Sequence, residues 1–370
     1  MKQHNATYQR LGDYIREVDV RNKDLKITRL VGLTIDKAFI SSVANVIGTD
    51  LSNYKVIQKE QFACSLMHVS RDGKMPVAMF DDDMPAIMSP AYPMFEVTDT
   101  TKLLPQYLMM WFSRKEFDRE ASFYAVGGVR GSLTWEDFCD MTLPIPPIAR
   151  QREIVSEYKM LTDRIRLNNS IISALESTAQ ALYRKMFVDN IDKAHLPTGW
   201  LHNICIDDVL DFKYGTTLSS ALIQQYGKYP VYGANGIMGY YNKANCSEYV
   251  GLITSRGNGS GDVSRTKHKF SFVTNNSFIV TSKKDYSYCK HPYIYWLLLH
   301  LDFKSICTGS AQPQLTNASI HILTIDLPPR PLIERFSEEC GKIMEYIDLK
   351  ETEINTLIKF QSLLLSKMEQ

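Results

Sequence analysis

The side chains best placed to do chemistry in this chain are cations, amides and aromatics set among glycines. Between Arg256 and Lys269 lie Arg256, Arg265, Lys267 and Lys269, four cations against the single carboxylate Asp262, a local net charge of +3. Glycines at 257, 259 and 261 let backbone approach a ligand, and His268 adds a hydrogen-bonding ring. Such a loop suits phosphate contact through cations and free backbone N–H groups. Just ahead, Tyr229-Pro230-Val231-Tyr232-Gly233-Ala234-Asn235-Gly236 joins aromatics, a turn and an amide. Asparagine can read adenine and arginine guanine in the major groove of duplex DNA. Lys213, Tyr214, Asn235, Arg256, Asn258, Arg265, Lys267 and His268 are therefore the expected groove or backbone contacts of the second half of the chain. The matching candidates of the first half are Arg71, Lys74, Tyr92 and Arg130. A solvated loop is the competing reading of the stretch from Arg256 to Lys269, and a structural role that of each single candidate.

Catalytic patterns do not emerge. The run Gly257-Asn258-Gly259-Ser260-Gly261 has neither the Lys-Ser/Thr of a P-loop nor a βαβ setting, and HExxH, GxSxG and spaced Cys/His deaminase clusters are all missing. The seven cysteines form no CxxC pair. They read as reduced and mostly buried, and no metal site or cofactor is expected on this chain. Asp81-Asp82-Asp83 reads as a solvated turn, because successive side chains on extended backbone point apart.

What must position these loops is legible in two long stretches. Ile154, Tyr158, Leu161, Ile165, Asn168, Ile172, Leu175, Ala179, Leu182 and Met186 fall at alternating spacings of four and three, a heptad seam with one polar slot. Phe336, Cys340, Ile343, Ile347, Lys350, Ile354, Leu357, Gln361, Leu364 and Met368 repeat it, each 182 residues later. At about 1.5 Å per residue each seam is roughly 50 Å long, which suits a spacer. Paired antiparallel, Asn168 and Lys350 would come close together and penalise other registers.

The globular parts repeat as well. Ser70-Arg71-Asp72-Gly73, a polar turn, is answered by Ser255-Arg256-Gly257-Asn258 at an offset of 185; Leu133-Thr134 and Pro146-Pro147 are answered by Leu315-Thr316 and Pro328-Pro329 at 182. Gln106 to Phe117 reads as a helix, with Tyr293 to Leu298 parallel to Tyr107 to Phe112. The expected fold class is α+β: two mixed α/β domains separated by two long antiparallel coiled-coil helices, with an internal pseudo-two-fold repeat. The expected boundaries are 1–148 and 195–328 for the domains, 149–187 and 329–370 for the helices, and 188–194 for a linker. A formal net charge of +1 over 370 residues gives no overall support for nucleic-acid binding, so only its distribution could. No leader or apolar run of membrane-spanning length is seen, and a soluble cytoplasmic protein is expected.

As a set, these residues resemble the specificity subunit of type I restriction-modification systems. The resemblance is carried by Leu143-Pro144-Ile145-Pro146-Pro147 running through Gln151-Arg152-Glu153-Ile154-Val155, by Ala181-Leu182-Tyr183-Arg184-Lys185-Met186-Phe187, by the Tyr229 to Tyr241 block, by Ser255-Arg256-Gly257 and by Leu327-Pro328-Pro329. It implies two target-recognition domains, each reading half of a split double-stranded DNA sequence, and spacer helices that dock two methyltransferase subunits. Ile154, Leu161, Asn168, Leu175, Leu182, Ile343, Lys350, Leu357 and Leu364 would be the spacer and partner positions. It implies no catalytic residue here. Adenine methylation with S-adenosylmethionine would belong to the methyltransferase partner, and ATP- and magnesium-dependent cleavage to restriction subunits. Competing readings are a non-catalytic coiled-coil scaffold, a recognition subunit of another DNA-modification or defence system, and an enzyme with a dispersed site.

Overall fold

The structure is a computed structural model that describes residues 8–42, 48–67, 69–127, 131–309 and 312–369. Contacts divide the chain into two compact units, Met1–Leu167 with Ile354–Gln370, and Asn168–Glu353.

In the first unit, β1 (Tyr8–Arg10), β2 (Ile15–Glu17), β3 (Val31–Leu33), β4 (Phe39–Ser41), β5 (Lys55–Ile57) and β6 (Phe62–Cys64) precede a short helix α1 (Val69–Asp72). Then come β7 (Val77–Met79), β8 (Ala86–Met88), β9 (Met94–Val97), α2 (Pro105–Phe112), α3 (Lys115–Tyr124), α4 (Trp135–Asp140), β10 (Thr142–Pro144) and the long α5 (Ile148–Phe187). Strands β2-β9-β6-β7 make an antiparallel sheet, β1 pairs with β10, and β5 with β8. Phe62, Phe95, Phe112, Phe117 and Phe138, each 1% exposed or less, fill the core beneath that sheet. Each such burial contributes about 1.5–3 kcal/mol.

The second unit repeats this plan. It runs through β11 (Leu201–Cys205), α6 (Ile206–Val209), β12 (Leu210–Tyr214), β13 (Tyr229–Gly233), β14 (Gly236–Tyr241), β15 (Gly251–Thr254), β16 (Val263–Arg265), β17 (Phe272–Val273) and β18 (Ser277–Ser282). There follow α7 (His291–His300), α8 (Asn317–His321), β19 (Thr324–Leu327) and the long α9 (Arg330–Ser366). Strands β12-β18-β15-β16 reproduce the order and antiparallel sense of β2-β9-β6-β7, and β11 pairs with β19 as β1 does with β10. Thr134 and Thr316, 182 residues apart, cap α4 and α8 by accepting from Asp137 N and Ser319 N, the expected use of a hydroxyl before a helix. Within the second unit β13 adds a hairpin to β14 and runs parallel to β17.

Two β-rich α/β regions and a pair of long packed helices are thus the α+β architecture expected. All twenty seam positions are buried or half-buried. In the first unit Gln361 Nε2 donates to Thr162 Oγ1 at 2.8 Å, and Met368 and Leu364 join the core with Ile154. In the second, Phe336 packs on Tyr183 and Phe187, with ring centroids 5.6 and 5.2 Å apart. Late residues of α9 meet early residues of α5 in one case and the reverse in the other, so the helices pair antiparallel within each unit. Asn168 is fully buried and its amide atoms bond to no neighbour among the described residues, while Lys350 turns along its own helix to Glu353 (2.9 Å) and over the Tyr346 ring. The two polar seam residues are therefore not bonded to each other.

Two local expectations change. The turn at Ser70–Lys74 begins inside α1, because Val69 is wholly buried and pulls the segment onto α3. The helix expected over 106–117 breaks between Phe112 and Lys115, where Arg114 takes extended backbone and lays its guanidinium 4.0 Å from the Trp111 ring.

Candidate nucleic-acid interface

The connection between β15 and β16 holds Arg256 and Asn258, and the equivalent β6–β7 connection of the first unit holds Arg71 and Lys74. In the second unit this connection is tied down by its own backbone. Gly257 N donates to Pro313 O, Gly261 N to Thr254 O and Asp262 N to Gly259 O. These three N–H groups are spent on the fold and are not free to meet a phosphate. Gly261, at φ +88°, is required for close approach: a Cβ there would sit 2.9 Å from Lys304 N.

What this closure presents is side chains. Arg256 is exposed, has no ion-pair partner among the described residues, and its backbone bridges to Gln314. Leu315 N donates to Ser255 O, and Tyr214 packs on Phe278 at 4.2 Å with its hydroxyl 3.5 Å from Leu315 O. The β13–β14 turn is drawn to the same place by Thr254 Oγ1 donating to Ala234 O at 3.0 Å, which leaves Asn235 exposed beside Gly259. Tyr214, Asn235, Arg256 and Asn258 are thus gathered at one end of the β12-β18-β15-β16 sheet. Lys213 lies on β12 beside Asp211, 3.4 Å away.

Three other candidates have been given structural tasks. Arg265 is 8% exposed and its two terminal nitrogens donate to both carboxylate oxygens of Asp348 on α9. Burial disfavours its charge, but the bidentate pair outweighs that and holds the guanidinium above its ordinary pKa. It cannot reach a groove while held there, and it leaves the contact set. Lys267 Nζ bonds both carboxylate oxygens of Glu351 on α9, and His268 Nδ1 lies 3.1 Å from Tyr232 OH. Tyr232, its pKa pushed up to about 12 chiefly by burial, also accepts from Lys267 N. The local charge of +3 read from the sequence is accordingly much reduced in space.

In the first unit Arg71 pairs with Asp72 at 2.7 Å and Lys74 with Asp36 at 2.9 Å, both exposed; Tyr92 is half-buried against the β5–β8 core, and Arg130 lies outside the described residues. The Asp81–Asp83 turn binds cations of its own chain, Arg29 to Asp82 and Lys59 to Asp83. Sequence reasoning missed Lys228, stacked 5.0 Å from the Tyr229 ring, and Phe270, 51% exposed beside that tyrosine. An apolar residue ending the basic run was the available signal.

The fold is thus two β-rich α/β regions with a pair of long packed helices, and the second region gathers an exposed cluster of loop side chains. Residues 197–361 match the family described as the type I restriction modification DNA specificity domain. In fold, the chain is similar over its full length to the type I restriction-modification system S subunit from M. genitalium, with TM-score 0.66, 16% identity and coverage of 98% of that chain. The HsdS subunit from Thermoanaerobacter tengcongensis is 16% identical, with 98% of this chain and 96% of that one covered at TM-score 0.38. No curated protein matches the sequence. The second half of the chain thus matches the specificity-domain family, and the chain as a whole has a fold similar to that of the S subunit. Among the described residues no helix is long and apolar enough to cross a membrane.

Proposed function

We propose that this chain reads a split duplex-DNA target, one half with each domain, and seats two methyltransferase subunits along its helices. The supporting observation is the repeated sheet, β2-β9-β6-β7 and β12-β18-β15-β16, with an arginine in the same connection each time, Arg71 and Arg256. Two linked moderate sites bind far more tightly than either alone when their spacing matches the target, and lose that gain when it does not. The helix lengths then set the unread gap. Exposed apolar residues on α9, Tyr346 and Leu349 in the second unit and Phe360 and Leu363 in the first, suit burial against partner protein. S-adenosylmethionine would be bound by the methyltransferase and ATP with magnesium by the restriction subunit, all in the cytoplasm, with adenine as the methylated base. The domains assigned to each half are 1–148 and 195–328.

The test is adenine methylation mapped at base resolution in a host expressing the cognate methyltransferase, with and without this chain. A split motif that depends on the chain, and changes in one half when residues 195–328 are replaced by those of another specificity subunit, is the expected result. Unchanged methylation despite confirmed assembly refutes the proposal and favours a scaffold.

A further inference from the structure

At the corner where the second domain begins and ends, three side chains of metal-ligating type converge. Cys205 closes β11, Asp207 lies two residues on in α6, and His321 closes α8, just before β19. The antiparallel pairing of Cys205 with Thr324 brings them together across 116 residues of sequence. Cys205 Sγ is 3.9 Å from His321 Nδ1, and that nitrogen is 3.0 Å from Asp207 Oδ2. The three ligand atoms all lie within 4.8 Å of one another. Tetrahedral zinc, with bonds of about 2.3 Å to sulfur and 2.0–2.1 Å to nitrogen and oxygen, sets S···N near 3.6 Å and N···O near 3.3 Å. Both separations are reached by moving side chains a few tenths of an ångström.

The first unit shows what this corner otherwise holds. Arg10 occupies the position equivalent to Cys205, since Arg10 pairs with Thr142 and Cys205 with Thr324, 182 residues later. Its guanidinium lies 2.7 Å from Asp140 and 3.4 Å from Asp13. There a cation of the chain itself joins the same elements, β1, the turn after it and α4. In the second unit that arginine is gone, and a thiol, a carboxylate and an imidazole face one another instead.

We propose that Cys205, Asp207 and His321 bind one divalent metal ion of the zinc class, with water in the fourth position. The thiol now approaches His321 O at 3.3 Å. On binding it gives its proton to solvent, and thiolate and carboxylate together neutralise the ion's two charges. Thiolate and imidazole select zinc over magnesium or calcium. The ion clasps the entry and exit strands of the domain, so it binds the folded corner alone and stabilises it.

The test uses the full chain, reduced and freed of metal, titrated with Co(II) as a spectroscopic probe and then with Zn(II). One equivalent of Co(II) giving a thiolate-to-cobalt absorption band, displaced by Zn(II), is expected. Cys205→Ser should abolish the band, and Asp207→Asn should weaken Co(II) binding by about tenfold or more. Circular dichroism of both variants separates loss of a ligand from loss of fold; if Cys205→Ser unfolds, the Asp207→Asn titration carries the test. No thiolate band at stoichiometric Co(II), a band undiminished in a folded Cys205→Ser chain, or unchanged affinity in Asp207→Asn overturns the site. Because the readout is the metal itself, the outcome is independent of whether the chain reads DNA.

Discussion

Replacing Asp348 by alanine strands a buried guanidinium. Arg265 gives two N–H···O bonds to that carboxylate, lies 5.8 Å from the Tyr295 ring and is 8% exposed. Breaking such a pair from one side costs about 3–5 kcal/mol, because the remaining charge stays buried without its partner. At about 1.4 kcal/mol per factor of ten, local opening becomes roughly a hundred- to several-thousand-fold more frequent. Amide hydrogen exchange over β15 and β16 measures this directly, since those strands carry Arg265 and its neighbours. The double variant Arg265→Met/Asp348→Leu removes both charges at similar volume, and its stability should return to within about 1 kcal/mol of the parent. Exchange in Asp348→Ala within about threefold of the parent would refute the reasoning. So would loss of DNA binding in a stable double variant, which would restore Arg265 to the interface.

Arg256→Ala should weaken DNA binding at every salt concentration, reducing the slope of log affinity against log salt by about one if the contact is to phosphate, or relaxing one base position if it is to guanine. Burial, helped by the nearby Arg265 charge, pushes the His291 imidazole down to about 3 against an opposing backbone hydrogen bond to Val250. Unfolded, this ring takes up a proton near pH 6.5, so the unfolded state binds more protons below that pH and stability falls with it; between about pH 6.5 and 5 the second unit should lose about 2 kcal/mol. His291→Gln should flatten that dependence in pH-resolved thermal melts. Asn168→Leu removes a fully buried amide that bonds to no neighbour among the described residues, and should raise local stability around α5 by about 1–3 kcal/mol, read by hydrogen exchange of that helix.

Periodic features were legible because periodicity is local. The seam from Ile154 to Met186 and its copy from Phe336 to Met368 announce two helices whatever they pack against, and the 182-residue offset between Leu133-Thr134 and Leu315-Thr316 announces a duplicated domain. Charge was misread for the opposite reason. Arg265 and Lys267 are neutralised by Asp348 and Glu351, 83 and 84 residues away, and no window of sequence shows that α9 passes beside β16. The convergence of Cys205, Asp207 and His321 escaped for the same cause. Ser70 to Lys74 went astray at closer range: Ser, Asp and Gly signal a turn, but burying Val69 was worth more than the propensity of its neighbours.

The first unit takes its last pieces from late in the chain. Met368, Leu364 and Leu365 pack into the core that holds Ile154, Leu143 and Tyr107, and the whole segment from Ile354 onward belongs to that unit, whereas the second unit is contiguous from Asn168 to Glu353. On the ribosome, where domains generally fold in order of their emergence, the order of completion is inverted. The second unit has all its residues while the first still waits for the turns of α9 that finish it. Until those turns arrive, Ile154 and its neighbours on α5 present an uncovered apolar face to the cell, and a premature stop codon after residue 353 would remove nothing from the second unit yet leave the first permanently unfinished.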